Sequence, residues 1–170
     1  MLTAFCSLTT KEKRCVKLHI TGTSLDNLKR KINSDELYLQ IANVFVVHEW
    51  MEYTELIDLY RTIDFLILIR FDNQITQANF PSKIPESMSF GIIPVCTRVG
   101  DYTKYYLKDN FDSIIFDPDS TKICLDSIRK AIYMPESQYL LMRNNARRTA
   151  VEKFGFKNWS EKLHTFILSK

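Results

Sequence analysis

One stretch, Asp64 to Thr97, restricts the fold more than any other part of the chain. Asp64-Phe65-Leu66-Ile67-Leu68-Ile69-Arg70 is an unbroken apolar run ending on a charge, the pattern of a strand covered on both faces. A polar loop, Phe71 to Asn79, leads into Phe80-Pro81-Ser82-Lys83-Ile84-Pro85-Glu86. Ser82 reads as an N-cap, and Pro85 falls in the first turn, where a missing N–H does little harm. Ser87 to Phe90 completes a short helix, Gly91 stops it, and Ile92-Ile93-Pro94-Val95-Cys96-Thr97 is the next strand. A strand, a crossover helix and a second strand covered on both faces give a parallel pair.

The rest of the chain repeats that alternation. A helix is expected over Met1 to Lys13, with Leu2, Phe5 and Leu8 on one face. Val16 to Thr21 alternates apolar and polar until Gly22 breaks it, and Ser24 caps a helix running to about Asp35. Asn43 to His48 reads as a buried strand, followed by a helix from about Thr54 to Arg61 with Leu56, Leu59 and Tyr60 facing in. After the central unit come a short helix from Asp101 to Leu107, a strand Ser113 to Phe116 and a turn Asp117-Pro118-Asp119-Ser120. Helices over Thr121 to Tyr133, Glu136 to Phe154 and Trp159 to Leu168 close the chain. The fold class is therefore α/β, a Rossmann-like three-layer parallel sheet flanked by helices. With no linker or repeat, and with 45% of its 170 residues hydrophobic, residues 1–170 read as a single domain with a core of its own.

The chemistry of the central loop is anion binding. A helix N-terminus leaves free N–H groups and a partial positive charge. Lys83, Ile84 and Glu86 could offer N–H groups here, Pro85 cannot, and the Lys83 side chain adds a full charge. Phosphate is the natural guest, and Glu86, about one turn in, suits a sugar hydroxyl. The bland alternative is an ordinary capped helix with a solvated Lys83 and Glu86. Arg70 stands at a strand C-terminus, as a phosphate ligand or as the partner of Asp72 or Asp101. His48 and Trp50 lie at the end of another strand, where open α/β sheets carry ligands. There they serve as a nucleobase platform or as simple rim residues. His19, mid-strand and with no second His or Cys at metal spacing, reads as an edge or solvent-facing residue.

Asn79-Phe80-Pro81-Ser82-Lys83-Ile84-Pro85-Glu86-Ser87-Met88-Ser89-Phe90-Gly91-Ile92-Ile93-Pro94-Val95 resembles the donor-site signature of GT-B glycosyltransferases. It is most similar to the retaining family whose motif is roughly F-P-(S/T)-K-x-x-E-x-x-x-x-G-x-P-V. The resemblance implies the C-terminal, donor-binding half of a two-domain enzyme that transfers a sugar from a nucleoside-diphosphate sugar, with retention, to a glycan or lipid-linked acceptor. Arg70, Phe80, Pro81, Ser82, Lys83, Ile84 and Glu86 would form the donor site, Glu86 holding the ribose. No cofactor and no obligatory metal are implied, and no catalytic residue is assigned. Many members carry another Glu eight positions earlier, contacting the sugar; Ala78 stands there in this chain.

In that family the half begins with a strand and a G-R-x-x-x-x-K-G loop, whereas this sequence opens in what resembles the following helix. The acceptor domain and first strand are therefore expected to be missing, the isolated chain to be inactive or weakly active, and a bared sheet edge to favour self-association. The parent is expected in the cytoplasm or peripherally at the inner face of a membrane.

Composition narrows the alternatives. A charge of +3, from 23 Lys and Arg against 20 Asp and Glu, is too mild to argue for nucleic acid. Arg143, Arg147 and Arg148 read as a solvated helix face. Cys6, Cys15, Cys96 and Cys124 lack CxxC spacing and read as reduced thiols. No apolar run approaches the roughly eighteen residues of a membrane span. No G-x-S-x-G, Walker or G-x-G-x-x-G motif occurs. A flavodoxin-like receiver lacks its acidic cluster here, since the first strand ends in Gly22-Thr23-Ser24. A non-catalytic α/β module, a degenerate half serving partner binding, remains the competing reading, supported by Ala78 and the missing basic loop.

Overall fold

The computed structural model describes residues 2–32, 34–118 and 120–169. The order is α1 (Leu2–Cys6), α2 (Thr10–Arg14), β1 (Leu18–Thr21), α3 (Leu25–Ile32), α4 (Asp35–Ile41), β2 (Phe45–His48), α5 (Tyr53–Tyr60), β3 (Phe65–Leu68), α6 (Gln74–Ala78) and α7 (Lys83–Ser89). It continues with β4 (Ile93–Thr97), β5 (Ile114–Phe116), α8 (Thr121–Ile132), α9 (Glu136–Thr149) and α10 (Lys157–Leu168). Two compact units result, Met1–Thr62 with Asp119–Tyr133, and Ile63–Pro118 with Met134–Lys170. Both are α/β with parallel strands and flanking helices, as expected, but the strands form two ladders, β1-β2 and β3-β4-β5.

In the second unit β4 is central and buried from end to end, while β3 is an edge strand with half-buried residues. Pro94 is tolerated in this central strand because of parity. Ile93 N–H donates to Asp64 O and Arg98 N–H to Phe116 O, so even-numbered residues face β5. The β5 register begins only at Val95 opposite Ile114, and the absent Pro94 N–H falls before any partner. Ile84, Met88, Cys96, Tyr102, Leu107, Ile115, Ala146 and Ala150 pack into one core against Leu66, Leu68 and Phe154. Burial pushes the Cys96 thiol up to about 12, with Asp112 and Asp109 adding to the effect, so it behaves as a small hydrophobe. α7 ends as the sequence indicates: Ile92 N–H bonds Ser87 O, Gly91 N–H bonds Met88 O, and Gly91 takes φ +78, a Schellman stop.

In the first unit Leu18 to Thr21 pairs in register with Phe45 to His48. Ala4, Phe5, Leu8, Leu28, Ile41, Val44, Tyr60, Cys124 and Ile128 are its buried apolar residues. The helix expected over Met1 to Lys13 is two short helices, with Met1 itself outside the described residues. The break comes where Thr9 caps α2, its hydroxyl accepting from Glu12 N–H while Glu12 accepts from Thr9 N–H, a reciprocal capping box. The carboxylate of Glu12, 3% exposed, also takes Arg129 Nε at 2.8 Å and Tyr133 O–H at 3.2 Å. The Arg129 guanidinium, helped by the capping bonds, holds that carboxyl down to about 2.

Other differences are local. Where one helix was expected to run to about Asp35, α3 stops at Ile32 and a separate helix, α4, follows, capped by Ser34; Asn33 lies outside the described residues. Asp101 to Leu107 winds a π-helical turn, Tyr102–Tyr106, and the end of the helix expected to reach Phe154 does the same at Ala150–Phe154. The turn at Asp117 to Ser120 includes Asp119, outside the described residues. All four cysteines are free. Among the described residues no helix is long and apolar enough to cross a membrane.

Candidate functional site

The sequence placed its chemistry at the start of α7, and the second unit builds that region from three pieces. The first is the entry segment. Phe80 packs edge-on against Tyr102, Tyr106 and Phe154 at ring-centroid distances of 6.4, 5.7 and 5.6 Å. Pro81 is buried behind it. These two candidates act mainly as anchors, although Phe80 is still 45% exposed.

The second piece is the first turn of the helix. Ser82 adopts a helical φ of −56 and ψ of −25, and its side chain makes no capping bond. A side-chain cap requires an extended backbone there, so the expected Ser82 cap does not form and the hydroxyl is left exposed. Ile84 N–H donates to Pro81 O at 3.0 Å and Glu86 N–H to Ser82 O at 3.3 Å. These two amides are therefore not offered to a ligand, contrary to expectation, and the Ile84 side chain is fully buried. The Lys83 amide has no hydrogen-bond partner among the described residues. Lys83 Nζ, on an exposed side chain, lies 4.0 Å from Glu86 Oε2, a distance at which the ion pair is weak.

The third piece is the end of β3. Arg70 pairs with neither Asp72 nor Asp101. Its guanidinium donates to Asn79 O at 3.2 Å and to Asn79 Oδ1 at 3.4 Å from both terminal nitrogens. That places its charge on the segment leading into α7. The loop between them, read as irregular, contains α6, capped by the Asn73 side chain. Gln77 cross-braces it, donating to Asp72 Oδ1 at 2.6 Å and accepting from Gly100 N–H at 3.2 Å. Gln77 is therefore committed, and the exposed Ala78 offers no polar group.

Among the described residues the region thus gathers two cations, one unpaired amide, one free hydroxyl and one accessible carboxylate. The chemistry of such a set suits a multiply charged anion bearing hydroxyl groups. The model of the glycosyl transferases group 1 family matches residues 1–149. The chain belongs to the group 1 glycosyltransferases.

Solved structures agree in fold. HepE of Anabaena in complex with UDP and glucose is 14% identical with a TM-score of 0.72, aligned over 99% of this chain and 44% of that one. A sucrose-phosphate synthase from Thermosynechococcus elongatus is 11% identical at a TM-score of 0.74, over 99% and 40%. The C-terminal domain of LpcC, a group 1 protein of Francisella tularensis, is 14% identical at 0.67, over 90% and 77%. No curated protein sequence matches. At these identities the likeness shows the GT-B half-fold, and this glycosyltransferase chain spans under half the length of the first two.

His48 and Trp50 belong to the first unit. Trp50 is 77% exposed. His48 is engaged: its Nε2 lies 2.9 Å from His19 Nδ1. The ring centroids are 5.2 Å apart and the planes 14° from parallel. That separation is the N···N distance plus about two ring radii, so the rings meet end to end in an N–H···N bond. His19 thus lies on an edge strand, as one of its two expected readings had it, but is half-buried and bonded rather than solvent-facing. Burial, then His48 and Lys17, push its pKa down. Among the described residues no group of three or more metal-ligating side chains forms. Of the presumed solvated face, Arg143 donates to Tyr139 O–H and Arg148 to Asn145 while lying over the Phe111 ring.

Sequence reasoning missed Thr97, Asn79 and Gln77. Thr97 left one clue, a lone hydroxyl ending an otherwise apolar strand.

Proposed function

We propose that this chain is the donor-binding half of a glycosyltransferase that moves a sugar from a nucleoside-diphosphate sugar to a glycan or lipid-linked acceptor, with retention. The observation that carries it is the placing of the Arg70 guanidinium on Asn79, in the segment that leads into a helix start bearing Lys83, whose first amide and Ser82 hydroxyl have no partner among the described residues. The diphosphate is met by Lys83, Ser82, Arg70 and the Lys83 N–H, and the ribose by Glu86. On binding, Lys83 exchanges its long contact to Glu86 for the phosphate, which frees the carboxylate to accept from a hydroxyl. Leaving-group charge is stabilised by these preorganised donors, with no cofactor or obligatory metal. HepE, crystallised with UDP-glucose, supports a uridine donor. Transfer also needs an acceptor held against the donor, which one half of a cleft does not supply, so the isolated chain binds without turning over.

A second reading, a non-catalytic module, is favoured by Ala78 and by the commitment of Gln77. Thermal unfolding with UDP, GDP and ADP separates the two. A ligand at ten times its Kd stabilises by about 1.4 kcal/mol, a rise of roughly 3–6 °C for a chain of this size. The donor reading expects that rise with one nucleotide; no shift with any of the three supports the module.

A further inference from the structure

We infer that Thr97 is a positioning residue that fixes Arg70 for the diphosphate, an inference that rests on the donor-site reading above. The β3-β4 ladder ends with Leu68 opposite Cys96, two residues short of Arg70. Unsupported, a residue beyond the last rung is free to fray. Thr97 supplies the missing rung with its side chain. Its hydroxyl accepts from Arg70 N–H at 2.9 Å and donates to Arg70 O at 3.0 Å, so one oxygen satisfies both backbone groups of one residue.

The clamp is rigid because Thr97 is itself fixed. It is fully buried, ends the central strand, and its carbonyl accepts from Tyr102 O–H at 3.4 Å. Tyr102 belongs to the core and meets Phe80 edge-on, so the same side chains set the backbone of Arg70 and the entry to α7. Beyond the backbone, Asn79 takes three guanidinium contacts. Arg70 is therefore held at both ends, backbone by Thr97 and head by Asn79. A cation held this way meets a diphosphate without first losing conformational freedom. Valine has the shape of threonine but no hydroxyl, and serine keeps the hydroxyl.

The test is UDP binding to the full chain, measured by calorimetry for the parent, Thr97→Val, Thr97→Ser, Arg70→Ala and the Thr97→Val/Arg70→Ala double variant, each checked for folding by circular dichroism. Loss of a preorganising hydrogen-bond pair weakens binding by roughly 3–10-fold in Thr97→Val. Thr97→Ser returns it to within about twofold, and the double variant binds no more weakly than Arg70→Ala, because a residue acting through another adds nothing once that other is gone. Parent-like binding by Thr97→Val, or losses that simply add in the double variant, would overturn the inference while leaving the donor reading intact. No UDP binding by the parent would overturn both, since Thr97 would then have nothing to position.

Discussion

The ladder β3-β4-β5 has a centre with no solvent contact, every residue from Ile93 to Thr97 being buried. The ladder β1-β2 has no fully buried residue at all: seven of its eight positions are half-buried and Thr21 is exposed. Both are parallel and both use short strands. The first packs into an apolar core; the second is crossed by the His19–His48 contact, and its unit, besides its own buried apolar residues, ties α2 to the end of α8 through Glu12, Arg129 and Tyr133. Where burial is complete, side-chain volume decides the structure and the residues that must be polar stand out. Where burial is partial, charge and protonation share in the outcome, and stability in that unit should follow pH.

The largest test of this contrast is core truncation. Met88→Ala, at a fully buried position, should cost about 2–5 kcal/mol, while Val47→Ala on the half-buried β2 should cost about 1 kcal/mol. Denaturant titration reads both, and equal costs would erase the distinction between the fully buried core and the half-buried ladder. Next comes acid. The Glu12 carboxyl sits at about 2 in the fold against an ordinary 4.5, so its stabilisation is complete above pH 4.5 and is lost as pH falls through 2. Amide exchange over residues 1–62 should show that loss between pH 5 and 2, and Glu12→Gln should abolish it. Residues 63–118 should not change in parallel.

The smallest effect belongs to the histidine pair. The His19 pKa is depressed below its ordinary 6.5, so the folded state disfavours the second proton. Stability is therefore greatest above pH 6.5 and declines as pH falls through the lowered value. His19→Gln should remove that slope at a cost of about 0.5–1.5 kcal/mol at pH 8. A slope that persists in the variant would place the pH response elsewhere.

The same contrast governs what could be read from residues alone. The runs Asp64 to Arg70 and Ile92 to Thr97 and the stop at Gly91 were legible, because uninterrupted apolar strands and a left-handed glycine leave few other conformations open, and the motif around Lys83 and Glu86 pointed to the family. Thr9 and Glu12 stood at capping-box spacing, yet the apolar face of Leu2, Phe5 and Leu8 masked the break between α1 and α2. α6 was hidden because its cap, Asn73, sits in a polar stretch that reads as loop. The contacts of His19, Arg70 and Gln77 depend on partners 29, 9 and 23 positions away, set by strand register and loop path rather than by local pattern. The expectation for Ser82 failed on backbone geometry alone, since residue type does not reveal whether the position before a helix is extended or already helical.

The most direct measurement is calorimetric titration of UDP into the full chain beside Lys83→Ala and Glu86→Ala. Saturable one-to-one binding by the parent is expected, weakened about tenfold by Lys83→Ala through loss of a charge-assisted contact and less by Glu86→Ala. Absence of binding at millimolar UDP, or binding untouched by either substitution, would contradict a donor site at the start of α7.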